Sequence, residues 1–317
     1  MTAHVQSRPA TIRIAGQGIR RSRGTRWRDA LSNHVFLLPI LAVFIVIYAI
    51  PMGQSIYYSF TNFNGYTNDA KIVGFRNYVQ IFQDPSMLTA LGFTIFYALT
   101  TTIFVTAGAI PLAVVLNRRF IGRNFVRSIF FFPAIPSIAV LGLVWVFILN
   151  PLGSGVLNTV IHAVTGLGPV PWLSDSHLAQ ASTVLVTVWS LTGWHAILYL
   201  AYLQAIPSDF YEAATLDGAS RWKSFRYITL PLLVPAMTVS QLLLMTNGLK
   251  VFDLPYTLTR GGPGYSTRTI TQSLLEDGIA NSKVGLASAL AVIFLVVVGL
   301  VILAQLALSR ALERRLS

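Results

Sequence analysis

Residues 286–309 read LASALAVIFLVVVGLVILAQLALS, a run of 24 residues that contains no charged side chain. An α-helix rises 1.5 Å per residue, so about 20 mostly apolar residues are enough to cross the hydrocarbon core of a bilayer. The composition of the whole chain agrees with such a span: of its 317 residues, 54% are hydrophobic and 11% are charged, whereas soluble domains carry about 25% charged residues. The chain is therefore predicted to be an all-α integral membrane protein.

Five other stretches of low charge are also long enough to span a bilayer. The six predicted spans lie near residues 35–58, 88–115, 128–149, 180–203, 231–252 and 286–309. Residues 151–174 are uncharged too, but glycine and proline interrupt them, so they are predicted to form an external loop with one surface helix. Six spans place both termini on the same side of the membrane.

The basic residues indicate which side that is. Of the 23 lysines and arginines, 17 lie before the first span, after the second and fourth spans, or in the C-terminal tail. Basic loops stay in the cytoplasm, so both termini are predicted to be cytoplasmic. Residues 1–34 are predicted to form a flexible basic cytoplasmic tail, residues 35–58 the first transmembrane helix, and residues 59–87 an external loop. Residues 88–309 are predicted to form a five-helix core that contains a cytoplasmic loop at 205–231, and residues 310–317 a second cytoplasmic tail.

Charge and composition argue against several other classes of protein. The net charge of +12 does not indicate nucleic-acid binding, because long uncharged stretches separate the basic residues. The chain has no cysteine, which excludes disulfides and thiolate metal sites. Its five histidines lie far apart and show no metal-ligand spacing. We therefore expect neither an enzyme nor a bound metal.

The loop between the fourth and fifth predicted spans contains a short helix and a turn. Pro207 is predicted to stop the incoming span. Asp209 is predicted to cap the short helix, with Glu212 three residues later in a capping-box pattern. Gly218 suits the left-handed position after the helix end, and Ser220 begins the next helix, which leads into the fifth span.

The same loop resembles a known family. Glu212-Ala213-Ala214, Gly218 and Ile228-x-Leu230-Pro231 follow the pattern E-A-A-x3-G-x9-I-x-L-P, which is that of the EAA loop in the permease subunits of bacterial ATP-binding-cassette importers. Residues 72–78 and 250–264 are similar to segments of sugar-uptake permeases of the larger maltose-transporter type. The resemblance covers about residues 35–309, and the short external loop is closer to the compact oligosaccharide or glycerol-phosphate importers.

This resemblance implies a type I importer permease fold with six transmembrane helices, in the bacterial cytoplasmic (inner) membrane. It implies the channel-forming subunit of an ATP-driven importer of carbohydrate, with oligosaccharide as the expected class. The implied partners are a second homologous permease, two cytoplasmic ATPase subunits, an extracytoplasmic sugar-binding protein, the sugar and membrane lipid. No G-x-x-x-x-G-K-[ST] occurs in the sequence, so ATP and Mg are expected on the ATPase partners and no cofactor on this chain. The expected ATPase-coupling residues are Glu212, Ala213, Ala214, Asp217 and Gly218.

In the resembling permease, the spans on either side of the coupling loop line the substrate path. The corresponding candidates here are Thr187, Trp194, Thr246 and Asn247. The alternative is that the tryptophan belongs to an interfacial belt and that the polar residues bond between helices. His195 is expected to be a packed neutral histidine. Lys250 either attracts an anionic substrate or pairs with the nearby Asp253.

Other functions remain open at this stage. A glycerol-phosphate importer of the same type would carry the same motifs. A secondary carrier would need Asp, Glu or Arg within its spans, and the predicted spans contain none. A membrane-embedded enzyme or scaffold would leave the loop at 205–231 without a role.

Overall fold

The computed structural model describes residues 37–67 and 70–316, and the predicted tail at 1–34 lies outside these residues. The described part is helical, and its extended pairing is limited to one isolated bridge between Thr61 and Ile72. The described residues up to Gln54 and those from Ser55 onward fall into two compact units. The first helix, α1 (Leu37–Ser59), is 23 residues long and includes a π-helical segment at Ile45–Ala49.

Eleven more helices follow within the described residues. They are α2 (Arg76–Gln83), α3 (Pro85–Asn117), α4 (Arg123–Ala134), α5 (Ile138–Ile148), α6 (Val156–Thr165), α7 (Ser176–Gln204), α8 (Asp209–Leu216), α9 (Arg221–Leu249), α10 (Asp253–Thr259), α11 (Ile270–Ser273, continued by a π-helical segment at Leu274–Ala280) and α12 (Val284–Leu316). The surface helix predicted within 151–174 is α6.

Five of these helices, namely α1, α3, α7, α9 and α12, are long and apolar enough to cross a membrane. The third predicted span, at 128–149, is not one straight helix: α4 and α5 are bent by 95° at a short break. Pro133 and Pro136 explain the break, because proline lacks an N–H group and disfavours helical backbone in the residue before it. Within the described residues there are six candidate spans when this bent pair is counted as one.

The core is built around α3, which packs against both α7 and α9. The helix backbones approach closely where small residues meet, as in many membrane bundles. A Cβ atom on Gly248 of α9 would lie 2.9 Å from the Cα of Ala98 on α3. A Cβ atom on Gly193 of α7 would overlap the carbonyl oxygen of Phe130 on α4, so this glycine fixes how α4 and α7 fit together.

The short helix α10 packs against α5 in the same way. Gly142 of α5 contacts Thr257 of α10, and a Cβ atom on this glycine would overlap the threonine hydroxyl. Leu254 of α10 is fully buried, in a cluster that includes Leu149 next to α5. The bent pair thus supports the segment that follows α9.

A buried arginine organises the region between α10 and α12. Arg268 donates hydrogen bonds to Glu276 and Asp277, each at 3.0 Å, and to Ser86 at the start of α3 at 3.2 Å. Within the described residues these two carboxylates supply the only ion pairs. Gln272 links the group to the preceding loop, because its amide donates to the carbonyl oxygen of Arg260 and to Glu276.

Candidate functional site

Helix α8 forms the centre of the loop at 205–231, and its start differs from the predicted capping box. The N-cap residue is Ser208, which makes no side-chain capping bond, and Asp209 is the first helical residue. The backbone N–H groups of Tyr211 and Glu212 both donate to the Ser208 carbonyl. The helix starts one residue earlier than predicted, so the prediction that Asp209 caps it in a capping box with Glu212 is wrong. Both carboxylates still lie in the first turn, where the helix dipole favours negative charge.

The end of α8 has the predicted geometry. Gly218 adopts a left-handed backbone with φ of 72°. The N–H of Ala219 donates to the carbonyl of Ala214 at 2.9 Å, and the N–H of Gly218 donates to that of Thr215 at 3.1 Å. This pair of bonds is a Schellman motif. Ser220 then caps α9 by accepting a hydrogen bond from the N–H of Lys223, as predicted.

No residue of α8 is buried. Phe210 is 51% exposed and Leu216 is 90% exposed, and the acidic Glu212 and Asp217 are exposed beside them. One side-chain hydrogen bond, between the hydroxyl groups of Tyr211 and Thr229 at 3.1 Å, joins α8 to α9. An exposed apolar surface with charged neighbours is typical of a protein-binding site.

The five predicted coupling residues therefore lie together on α8 and the turn at its end. Three of them belong to α8, Asp217 is its C-cap and Gly218 follows it. Ala214 is partly buried, and the other four are exposed. The surface they form offers two carboxylates, small side chains and a fixed turn.

A cavity of about 380 Å³ lies among α3, α7, α9 and α10. It contains two of the four predicted substrate-path residues, Thr187 and Asn247. Thr187 is buried, and its hydroxyl bonds to the Tyr97 hydroxyl at 2.6 Å. Asn247 is exposed. Polar groups that line the cavity are Tyr97, Thr101, Thr187, Asn247, Lys250 and Asp253.

The other two predicted residues, Trp194 and Thr246, do not line this cavity. Trp194 is 41% exposed, and its ring contacts the adjacent His195 at 4.7 Å between centroids. His195 is buried and bonds through Nδ1 to the Ser240 hydroxyl at 2.7 Å, so the prediction of a packed histidine is confirmed.

Lys250 and Asp253 both line the cavity, but the structure shows no ion pair between them. Of the two roles left open for Lys250, the local pair with Asp253 is therefore wrong. Lys250 is the C-cap of α9 and Asp253 is the first residue of α10. The segment turns between the two helices, so the two charges stand at different points of the cavity wall.

The cavity also contains residues that the sequence analysis did not select. Tyr97 and Thr101 lie four residues apart on α3. This spacing places both hydroxyl groups on one helix face, and that polar face is a signal that could have identified them. Phe252 also lines the cavity and stacks on Tyr256 at 4.9 Å. Within residues 37–67 and 70–316, no cluster of three or more His, Cys, Asp or Glu could hold a metal ion.

Comparison with known proteins agrees with this architecture. A family model described as "Binding-protein-dependent transport system inner membrane component" matches residues 106–317. The chain is 31% identical to the probable starch degradation products transport system permease protein AmyD of Thermoanaerobacterium thermosulfurigenes, over 90% of this chain and 97% of the relative. It is 33% identical to the trehalose/maltose transport system permease protein MalF of Thermococcus litoralis, over 86% of this chain and 92% of the relative.

A solved structure shows the same fold. A chain of a bacterial alginate ABC transporter, crystallised in complex with an alginate pentasaccharide-bound periplasmic protein, superposes with a TM-score of 0.77. It is 25% identical in sequence, and the match covers 92% of this chain and 97% of that chain. With its membrane-spanning helices and its match to the family model, this chain belongs to the inner membrane components of binding-protein-dependent transport systems.

Proposed function

We propose that this chain forms half of the transmembrane path of a carbohydrate importer in a bacterial inner membrane, with oligosaccharide as the substrate class. It would pair with a second permease, receive sugar from an external binding protein, and be driven by two separate ATPase subunits that bind ATP and Mg. The names of its relatives support the sugar class, since they include transporters of starch degradation products and of trehalose and maltose.

The observation that carries the proposal is the position of α8 directly before the N-terminal end of α9. The fixed turn at Gly218 and the bond between Tyr211 and Thr229 join α8 to the start of α9. Helix α9 is 29 residues long, about 43 Å, and Asn247 near its far end lines the cavity. A displacement of α8 by an ATPase would therefore move a wall of the cavity. Coupling requires that the contacts with the ATPase differ between two conformations of the permease, and such a movement would link those contacts to the shape of the cavity.

Each coupling residue has a role in this proposal. Glu212 would anchor α8 by accepting hydrogen bonds from the ATPase, with Asp217 as a second acceptor at the helix end. Ala213 and Ala214 would allow close approach. Gly218 would hold the turn that transmits the movement.

The cavity fits a sugar in size and chemistry. A volume of about 380 Å³ lies in the range of small-molecule sites. Sugars present apolar faces and polar edges, and the cavity offers the aromatic rings of Tyr97 and Phe252 beside an amide and hydroxyls. Because the Thr187 hydroxyl is already bonded to Tyr97, Asn247 is the better candidate for direct contact. Trp194 and Thr246 would act at most outside this cavity.

A glycerol-phosphate importer is the second candidate, because Lys250 lines the cavity without an ion pair. Asp253 lines the same cavity and offsets this charge, so we favour a neutral sugar. Uptake assays that compare a labelled maltooligosaccharide with labelled glycerol 3-phosphate distinguish the two substrates.

The coupling proposal is tested by the variants Glu212→Lys and Gly218→Pro, measured in cells that also express the proposed ATPase and binding-protein partners. We expect both variants to reach the membrane and to lose uptake, since the first reverses the anchoring charge and the second cannot adopt a positive φ. Normal uptake by either variant would refute the coupling role. Uptake that persists when the Walker-A lysine of the ATPase is mutated would instead indicate a secondary carrier.

A further inference from the structure

A cleft of about 480 Å³, separate from the sugar cavity, lies beside α8. Its walls come from the last residues of α3, the end of α7, one side of α8 and the first turns of α9. These helix ends face the side that is predicted to be cytoplasmic. The polar groups that line the cleft include Asn117, Arg118, Tyr211, Thr215, Arg221 and Ser224.

The charge of this cleft is one-sided. Arg118 and Arg221 line it, and no carboxylate does. Within the part of the chain that the structure describes, neither arginine forms an ion pair, since both ion pairs belong to Arg268. The acidic residues of α8 are not among the lining residues. Two exposed arginines therefore line one cleft that contains no carboxylate.

The amide of Asn117 adds a neutral hydrogen-bond donor to the two arginines. The hydroxyls of Tyr211, Thr215 and Ser224 line the same space, but each is already hydrogen-bonded within the chain, to Thr229, to the Tyr211 carbonyl and to the Ser220 carbonyl respectively. Guanidinium groups bind phosphate through paired, charge-assisted hydrogen bonds. A phosphate group has enough oxygens to accept from several of these donors at once, whereas a carboxylate has only two.

We propose that this cleft is a binding site for a phosphate group, carried by an anionic lipid headgroup or present as a free phosphate. The site lies where α3 and α7 end and α9 begins, which is the level at which lipid headgroups meet a membrane protein. Basic pockets between helices on the cytoplasmic side are typical headgroup sites.

A bound phosphate would have a mechanical consequence for α8. It would bridge Arg118 at the end of α3 to Arg221 at the start of α9, with Tyr211 and Thr215 of α8 on the same cleft wall. One side-chain hydrogen bond otherwise holds α8 to α9. Occupancy of the cleft would thus strengthen the attachment of the coupling surface.

The test is a binding measurement on the purified full-length chain in an uncharged, phosphate-free detergent at fixed ionic strength. Inorganic phosphate and dioctanoyl phosphatidylglycerol are titrated separately by calorimetry. The double variant R118Q/R221Q removes the two guanidinium groups of the cleft. The matched control R119Q/R226Q removes the same charge from the same two loops, at residues that do not line the cleft.

We expect saturable binding of at least one probe, weakened at least about tenfold in R118Q/R221Q and unchanged in the control. Binding of inorganic phosphate identifies a free-phosphate site, and binding of the lipid alone identifies a headgroup site. The absence of saturable binding for both probes, or equal weakening in both double variants, overturns the proposal. If R118Q/R221Q has a lowered melting temperature, the single variants R118Q and R221Q decide, with a partial loss expected in each. The measurement needs neither sugar nor ATPase, so its failure would leave the transport proposal untouched.

Discussion

Gly218 offers a test of coupling in which backbone conformation is separated from packing. Its φ is 72°, and a Cβ atom built on it would meet no other atom within 4 Å. A substitution there is therefore opposed by the left-handed backbone alone, which costs a non-glycine residue about 1–2 kcal/mol. Asparagine tolerates this conformation best, and a β-branched residue tolerates it worst. The loss of uptake is therefore expected to increase from Gly218→Asn to Gly218→Ala to Gly218→Val.

The functional effect follows from the size of this cost. A penalty of 1–2 kcal/mol changes a two-state population about 5- to 30-fold. If the turn transmits movement from α8 to α9, sugar uptake in proteoliposomes with the ATPase and binding protein falls by up to this factor in Gly218→Ala and further in Gly218→Val. ATP hydrolysis falls less than uptake does, because the turn lies between the ATPase contact and the cavity.

Gly166 provides the matched control. It follows the surface helix α6 with φ of 70°, and its Cβ atom would also meet nothing within 4 Å. Gly166→Ala thus carries the same backbone cost in a part of the chain remote from α8. Full uptake by Gly218→Val, or an equal loss of uptake in Gly166→Ala, would refute the reasoning.

Three further predictions concern stability, measured as the melting temperature of the purified chain in detergent. Gly193→Ala should lower the free energy of unfolding by at least about 1–3 kcal/mol, because its Cβ atom would overlap a backbone carbonyl of α4. The control Gly299→Ala, whose Cβ atom would meet nothing within 4 Å, should leave the melting temperature unchanged. Equal melting temperatures of the two variants would contradict the packing role of Gly193. Arg268→Met should cost about 2–4 kcal/mol, since it leaves two partly buried carboxylates unpaired; an unchanged melting temperature would show that the pairs add nothing. Burial raises the pKa of Asp84, but hydrogen bonds from Ser86 and from the backbone outweigh this effect and leave the pKa below its ordinary value. The stability that the ionised Asp84 adds is therefore present above the ordinary pKa of an aspartate and is lost as the pH falls through the lowered pKa. The difference in melting temperature between the unchanged chain and Asp84→Asn should shrink between about pH 5 and pH 3. A difference that grows in this range would contradict the prediction.

The features that the sequence predicted well depend on residues close together in the chain. Uncharged runs identified the spans, and the turn at Gly218 with the cap at Ser220 followed from local backbone rules. The bend between α4 and α5 lies at visible prolines, Pro133 and Pro136. Its angle of 95° does not follow from them, because the packing of α4 on α7 and of α5 on α10 fixes it.

The cavity was harder to predict for a physical reason. The bond between Tyr97 and Thr187 joins residues 90 positions apart, and nothing local to either residue specifies the other. Among the four candidates, position in the span alone could not separate Asn247, which lines the cavity, from its neighbour Thr246, which does not. Adjacent residues on a helix point about 100° apart, so a small difference in helix rotation decides which of them is used.

The shortness of α5 has a consequence for biosynthesis. Its 11 residues extend about 17 Å, against a hydrocarbon core of about 30 Å, so α5 cannot be released into lipid as a finished span. Its partner α10, which packs on it at Gly142, is synthesised more than 100 residues later. We therefore expect α5 to reach its final position in the membrane only after Asp253–Thr259 has been synthesised, so that this part of the topology forms late in translation.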